Sequence, residues 1–137
     1  MHYLTRRETF NAAHRVFRPE LSEKENYDLF GKCANPHWHG HNYTLFVTIK
    51  GTPDPFTGYL MDLKILKEII QEVIIEKVDH KNLNVQVDFL KGMIASTENM
   101  VKVFFEQLQP VLVKEGVKLH SIKLYETENN ICEYIAE

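Results

Sequence analysis

The fold is decided by a segment that reads HGHNYTLFVTIK at positions 39–50. From Asn42 to Lys50 its residues alternate between apolar and mostly polar side chains, and this period of two predicts a β-strand. The face predicted to be buried carries Tyr43, Leu45, Val47 and Ile49. The same alternation places the imidazoles of His39 and His41 on one face at the start of the strand.

A third histidine turns this pair into a candidate metal site. His14 ends the run FNAAH at positions 10–14, and Cys33 lies six residues before His39. Two imidazoles on one face with a third from elsewhere form the ligand set of a catalytic zinc, which keeps its fourth position open. A His-x-His pair alone more often means two polar strand residues, so the prediction depends on His14.

Composition limits the class of protein. The chain has 137 residues, 44% hydrophobic and 26% charged, which predicts a single globular domain over residues 1–137. The net charge of −3 gives no electrostatic case for nucleic acid or an anionic membrane. Neither a signal peptide nor a transmembrane stretch is recognisable. Two cysteines are too few for a disulfide framework, and we therefore expect a cytoplasmic protein.

The order of elements predicts an α+β fold. Strands are expected over Tyr3–Asn11, Asn42–Lys50, Leu119–Glu126 and Ile131–Ala136, and helices from an Asp62 cap to about Val78 and from Ser96 or Thr97 to the Pro110 region. Residues 15–36 are predicted to be a long loop. Strands at both ends around two amphipathic helices favour an antiparallel sheet with both helices on one face. Phe46 and Tyr125 point to the other face, a hint that another subunit covers it.

Several other residues have an ordinary explanation when each is taken alone. Asp79 and His80 follow a helix, where they can serve as a C-terminal cap, and Glu126 beside a turn can be a solvated carboxylate. Ser96, Thr97 and Glu98 suit a helix N-terminus equally well. Their joint occurrence, in order along one short chain, is what makes them candidates for function.

That joint pattern resembles the 6-pyruvoyltetrahydropterin synthase family, which also includes the 6-carboxytetrahydropterin synthases of queuosine biosynthesis. The matching segments are FNAAH at 10–14, CANP at 33–36, HGHNY at 39–43, VDHKNLN at 78–84, STEN at 96–99 and YETENN at 125–130. They span the chain from residue 10 to residue 130 in the family's order.

The resemblance implies a role for each residue. His14, His39 and His41 would bind Zn²⁺, and the substrate would be 7,8-dihydroneopterin triphosphate, whose side-chain hydroxyls the metal would polarise. Cys33 would be the base, with Asp79 and His80 completing the proton relay. The pterin ring would be anchored by Glu126, together with a second contact segment formed by Ser96, Thr97 and Glu98.

The resemblance also implies an assembly. The expected architecture is the tunnelling fold, a four-stranded antiparallel sheet with two helices on one face. Three subunits would close their sheets into a barrel, and two trimers would stack into a homohexamer. Active sites would lie between subunits, with Cys33 and the Asp79–His80 pair contributed by different chains.

The reaction product is the point on which the sequence leaves alternatives. The five residues between Cys33 and His39, followed by Asn42 and Tyr43, favour a lyase that makes 6-pyruvoyltetrahydropterin with loss of triphosphate. However, His37-Trp38 stand where that type usually has Asn-Gly. The alternatives are a 6-carboxytetrahydropterin synthase, which would release acetaldehyde and triphosphate, and a non-catalytic pterin-binding member. A generic zinc hydrolase is disfavoured because no glutamate lies beside the histidines to activate water.

Overall fold

The segment at positions 39–50 forms the centre of the sheet in the computed structural model, which describes residues 1–137. The strands are β1 (His2–His14), β2 (His39–Gly51), β3 (Lys81–Asn82), β4 (Lys118–Tyr125) and β5 (Ile131–Ile135), in the order β3-β1-β2-β4-β5. β1 and β2 are antiparallel from the pair His2 and Gly51 to the pair His14 and His39. The alternation predicted for β2 is confirmed, since its four apolar side chains on the core face are fully buried.

The sheet has one strand more than the four that we predicted. β3 contains only two residues and pairs parallel to β1 at its edge, opposite Ala12 and Ala13. Two residues are too few to produce a readable period, so the sequence pattern gave no sign of this strand. Each adjacent pair among the four longer strands is antiparallel, as expected.

The helices are α1 (Glu23–Phe30), α2 (Leu63–Ile70), α3 (Glu76–Val78) and α4 (Thr97–Lys114). A π-helical turn, Gln71–Ile75, joins α2 to α3, so that the helix predicted after Asp62 runs to Val78 with one wide turn inside it. Two 3₁₀ turns, Gly31–Ala34 and Asp88–Leu90, complete the secondary structure.

The prediction that residues 15–36 form a loop was wrong in its centre. α1 begins after Ser22, whose hydroxyl accepts a hydrogen bond from the Glu25 amide, while the Glu25 carboxylate accepts one from the Ser22 amide. This reciprocal capping box satisfies two amides that a helix start otherwise leaves unpaired. The helix is polar and short, and it therefore lacks the apolar stripe by which a helix is usually recognised.

The N-caps that we predicted at Asp62 and Ser96 are confirmed, whereas the predicted end of the second helix near Pro110 is not. Asp62 accepts from the Lys64 amide at 2.9 Å, and Ser96 accepts from the Asn99 amide at 3.3 Å. α4 continues beyond Pro110 to Lys114. A proline within a helix removes one backbone hydrogen bond, but burial of Leu112 in the core keeps the last turn in place.

α2 and α4 both pack on the sheet face that carries Tyr43 and Leu45, as predicted, and with it they form one hydrophobic core. The opposite face carries Phe46 and Tyr125, whose ring centroids are 5.2 Å apart. No helix is both long enough and apolar enough to span a membrane.

Candidate functional site

Strand register brings three imidazoles together at one end of the sheet. His14 is the last residue of β1 and lies opposite His39, the first residue of β2, while His41 lies opposite Ala12. The ring centroids are 4.6 Å apart for His14 and His39, 5.2 Å for His14 and His41, and 4.9 Å for His39 and His41. Two adjacent strands therefore build the cluster without any contribution from a loop.

The donor atoms of this cluster fit a metal ion. One ring nitrogen from each histidine lies within 4.8 Å of those of the other two. His14 Nε2, His39 Nδ1 and His41 Nε2 are buried and have no hydrogen-bond partner in the protein. The other nitrogen of His14, Nδ1, lies 2.8 Å from the Ala95 carbonyl oxygen, to which it donates when protonated. That bond leaves the Nε2 lone pair free, as in many metal-bound histidines.

The protonation of these histidines also suits metal binding. Burial, above all, lowers the pKa of His14, with His39 and His41 adding to the effect against the opposing hydrogen bond to Ala95 and the Glu126 charge. The pKa of His39 is lowered by burial first and by His41 second. Neutral imidazoles are the form that binds metals, so the lowered pKa values of His14 and His39 favour metal binding.

Gly40, between two of the histidines, fits against the backbone of β1. A Cβ atom at this position would lie 3.3 Å from the Ala12 carbonyl oxygen. A side chain would therefore push the strands apart where the imidazoles meet. The glycine of the His-Gly-His motif thus serves the strand pairing that positions both ligands.

Glu126 lies between the imidazole cluster and the start of α4. Its two carboxylate oxygens are each 3.8 Å from a histidine nitrogen, Oε2 from His14 Nε2 and Oε1 from His41 Nε2. The Thr97 hydroxyl donates a hydrogen bond to Oε2 at 3.0 Å. The carboxylate is consequently held next to the three imidazoles, a contact that sequence analysis did not predict.

Glu126 also lines a cavity of about 520 Å³. Its walls include Ser96, Thr97 and Glu98 from the start of α4, together with Cys132 from β5. The structure thus brings the four residues predicted to contact a pterin to one cavity beside the imidazoles. Cys132 also lines it, and burial followed by the Glu98 charge raises the pKa of its thiol.

Cys33 lies in the 3₁₀ turn after α1, with an exposed side chain. Its carbonyl oxygen accepts a hydrogen bond from the Val16 amide at 2.7 Å, which ties the turn to the chain just after His14. A second tie is formed by the Arg15 guanidinium, whose Nη2 donates to the Ala34 carbonyl at 2.8 Å. The thiol therefore belongs to a segment that is hydrogen-bonded to the two residues after His14.

The Asp79–His80 pair lies apart from these groups. His80 Nδ1 is 3.0 Å from Asp79 Oδ1, and Asp79 also accepts from the Asn11 amide at 2.9 Å. The Asn11 bond, followed by the contact with His80, lowers the pKa of Asp79. The two residues line a smaller cavity with Asn11 and Asn42, and no hydrogen bond or ion pair connects them to Cys33 or to the three imidazoles. Within one chain, the residues predicted to form the relay are not assembled.

These features define an α+β protein in which a cluster of three histidines that could hold a metal ion lies beside an acidic cavity. The sequence model of the 6-pyruvoyl tetrahydropterin synthase family matches residues 3–137. The 6-pyruvoyl tetrahydrobiopterin synthase of Pongo abelii is 46% identical over 134 residues, which are 98% of this chain and 91% of that protein. The 6-pyruvoyl tetrahydropterin synthase of Caenorhabditis elegans superposes with a TM-score of 0.91 at 37% identity, covering 99% of this chain and 96% of that one. The chain belongs to the 6-pyruvoyl tetrahydropterin synthase family.

A relative of the other product type is more distant. The 6-carboxy-5,6,7,8-tetrahydropterin synthase of Haemophilus influenzae is 28% identical in an alignment of 124 positions that covers 76% of this chain and 84% of that protein. Similarity is therefore higher, and extends over more of the chain, to a protein named for the pyruvoyl product.

Proposed function

We propose that this protein is a zinc-dependent lyase that converts 7,8-dihydroneopterin triphosphate into 6-pyruvoyltetrahydropterin with loss of triphosphate. We take residues 1–137 as one catalytic domain. The exposed, unpaired Cys33 thiol favours a reducing compartment, and we place the enzyme in the cytoplasm.

This proposal rests on one observation: the Glu126 carboxylate lines the acidic cavity and also lies beside the imidazoles of His14 and His41. A carboxylate can accept two parallel hydrogen bonds from the 2-amino group and the adjacent N–H of a pterin. A ring bound in the cavity by Glu126, with Thr97 and Glu98 beside it, lies next to His14 and His41. A substrate anchored at Glu126 would therefore have the imidazoles within its reach.

The residues at the cluster fit Zn²⁺. His14, His39 and His41 would hold the ion through nitrogens that have no other partner, and three neutral nitrogen ligands leave a position for the substrate. Bound there, the metal supplies Lewis acidity that makes the C–H bonds beside the side-chain hydroxyls more acidic. The protein's own contribution is to favour the neutral form of His14 and His39 by burial and to hold all three imidazoles in fixed orientation.

Proton transfer is assigned to Cys33, Asp79 and His80. The Cys33 thiolate would take a proton from the substrate side chain. In the Asp79–His80 pair, the Nδ1 of His80 faces the carboxylate, which leaves Nε2 as the atom that gives or receives a proton. Because the pair lies away from the cluster of its own chain, we propose that it completes the site of a neighbouring subunit.

This sharing requires an oligomer. We propose a trimer whose sheets close into a barrel, with two trimers forming a homohexamer. The sheet of one chain ends in β5, whose outer edge has no partner strand, and closure would pair such an edge. Native mass spectrometry should then give six times the mass of one chain, and a monomeric active enzyme would contradict the proposal.

Subunit sharing has a direct functional test. His39→Ala and His80→Ala should each be inactive alone, because one removes a metal ligand and the other the proton carrier. Mixed hexamers of the two variants should regain part of the activity, since some interfaces combine an intact cluster with an intact relay. Absence of recovery in hexamers shown to be mixed would contradict a shared site.

The product is tested by a mass-resolved assay on the zinc-loaded protein with 7,8-dihydroneopterin triphosphate. We expect 6-pyruvoyltetrahydropterin and triphosphate. Formation of 6-carboxytetrahydropterin and acetaldehyde would instead support the queuosine-type reaction, with Trp38 and His37 as the first residues to exchange. Pterin binding without any turnover would support a non-catalytic member.

The role of Cys33 separates catalysis from binding. Cys33→Ala should abolish turnover and leave pterin affinity within about threefold, because the anchor Glu126 is unchanged. Cys132→Ala is the matched control, as this second cysteine lines the cavity but has no proposed part in proton transfer. Equal turnover in Cys33→Ala would remove the thiol from the mechanism.

A further inference from the structure

Tyr43 is a buried tyrosine whose hydroxyl has no hydrogen-bond partner in the protein. Its side chain is fully buried, and the hydroxyl oxygen itself is inaccessible. The residue is on β2, on the same face as His39 and His41, because it follows them at intervals of two. Buried polar groups nearly always have a partner, so a hydroxyl left over at this place needs an explanation.

The ring of Tyr43 is held in one position by its neighbours. It stacks on Phe10 with centroids 4.7 Å apart and an angle of 11° between the planes. The rings of His41 and His14 lie edge-on to it, with centroids at 5.5 Å and 6.1 Å. The ring therefore cannot reorient to bring its hydroxyl to solvent. Any hydrogen-bond partner has to bind beside the hydroxyl where it is.

The surroundings of the hydroxyl belong to the candidate site. The two imidazoles that contact the Tyr43 ring, those of His14 and His41, are also the two whose Nε2 atoms lie 3.8 Å from the Glu126 carboxylate. That carboxylate lines the acidic cavity. The Tyr43 ring therefore adjoins the imidazoles beside which we expect the substrate side chain, and its hydroxyl can donate a hydrogen bond.

A purely structural role would be served better by phenylalanine. Phenylalanine would keep the stacking with Phe10 and the contacts with the imidazoles without burying an unpaired hydroxyl, which is unfavourable in a folded core. A tyrosine at this position therefore lowers stability unless the hydroxyl gains a partner when a ligand binds.

We propose that the Tyr43 hydroxyl donates a hydrogen bond to an oxygen of the substrate's hydroxylated side chain and so distinguishes side-chain-bearing pterins from the bare ring. The inference rests on the proposed function, since it requires a pterin with its side chain directed at the imidazoles. It adds a substrate contact to those of Glu126 and Thr97, and it involves no covalent step.

The test compares two ligands on two variants of the zinc-loaded protein. The ligands are 7,8-dihydroneopterin, which carries the three-carbon hydroxylated side chain, and 7,8-dihydropterin, which lacks it. Tyr43→Phe should bind 7,8-dihydroneopterin roughly 5- to 100-fold more weakly, because the ligand oxygen is left without its donor. Affinity for 7,8-dihydropterin should stay within about twofold, since the ring contacts are untouched.

Two further readouts separate a substrate contact from a structural one. The zinc-free Tyr43→Phe protein should melt no lower than the wild type, and its zinc affinity should be unchanged. Tyr134→Phe is the matched control, because this half-buried tyrosine of β5 packs on Phe105 of α4, away from the imidazoles. It should bind both ligands as the wild type does.

Each other outcome overturns the inference. Equal affinity of wild type and Tyr43→Phe for 7,8-dihydroneopterin would show that the hydroxyl does not contact the side chain, while the proposed function would stand. A marked fall in melting temperature, or equal weakening of both ligands, would show that the hydroxyl acts through the fold. Failure of the wild type to bind either ligand would overturn the proposed function as well.

Discussion

The three-histidine cluster and the Asp79–His80 pair are both predicted to handle the same substrate, yet the fold treats them differently. The cluster is built on the central strands β1 and β2, with His14 buried and His41 mostly so. The pair follows α3 in a connecting segment, and the His80 side chain is 79% exposed. His80 also has a φ of 59°, in the left-handed region that non-glycine residues adopt uncommonly, histidine more often than most.

The difference shows which part of the site one chain can complete by itself. Register fixes all three imidazoles within a single chain, because β1 and β2 pair without interruption from His2 to His14. The pair is attached to β1 by two bonds to Asn11, one from the Asn11 amide to Asp79 and one from the His80 amide to the Asn11 carbonyl. We therefore expect metal binding to survive changes in the pair, and turnover to need both.

The largest effect should come from breaking the cluster. His39→Ala should lower zinc affinity by more than about 100-fold, since even the loss of groups that only orient metal ligands costs 10- to 100-fold. Metal content after dialysis, measured by mass spectrometry, checks this. His37→Ala is the matched control, because His37 lies two residues away and outside the cluster. Zinc loss in the control would mean that His37 is a ligand.

Breaking the pair should affect turnover and leave the metal in place. Asp79→Asn removes the charge that orients His80, and we expect kcat to fall roughly 10²- to 10⁴-fold, the range for general acid–base groups. Zinc content should equal that of the wild type. Asp88→Asn, at a side chain that is 94% exposed, serves as control. An accompanying loss of zinc would contradict the separation of the two regions.

Acid should destabilise the folded protein through the histidine cluster. The pKa values of His14 and His39 are lowered from an ordinary value of 6.5. Below that pH these two histidines bind protons more readily in the unfolded chain than in the native one, which favours unfolding. The stability of the zinc-free protein should be greatest above about pH 6.5 and fall as the pH is lowered towards 5. Denaturant unfolding at each pH measures this, and His39→Ala should show a shallower decline. A pH-independent wild type would contradict the prediction.

The smallest effect is expected at Trp38, immediately before the cluster. Its φ of 69° is unfavourable for a side chain by about 1–2 kcal/mol, which glycine would relieve. The indole ring, however, contributes packing, with the Arg15 guanidinium carbon 5.7 Å from its centroid. Trp38→Gly should therefore change the free energy of unfolding by less than about 1 kcal/mol and zinc affinity by less than about threefold. Trp38→Phe is the control, and a large zinc effect in Trp38→Gly alone would show that Trp38 positions His39.

The sequence by itself determined the central strand, the cluster and the helix starts. Alternation with period two is a direct consequence of strand geometry, so it predicted both the buried face of β2 and the common side of His39 and His41. The caps at Asp62 and Ser96 were predictable because they depend on bonds between residues only two or three positions apart. For the same reason, the capping box at Ser22 held the local signal for α1, which the polar composition of that segment concealed.

Tertiary structure decided what depends on distant parts of the chain. The Ala95 carbonyl bonded to His14, the Thr97 hydroxyl bonded to Glu126 and the extension of α4 past Pro110 all depend on packing between segments far apart in sequence. The lone hydroxyl of Tyr43 is of the same kind: its place on the imidazole face follows from spacing, whereas the absence of a partner is a property of the packed core. The separation of the Asp79–His80 pair from the cluster likewise depends on how the connecting segment folds back on β1. No short-range sequence pattern predicts which face of a sheet such a segment will contact.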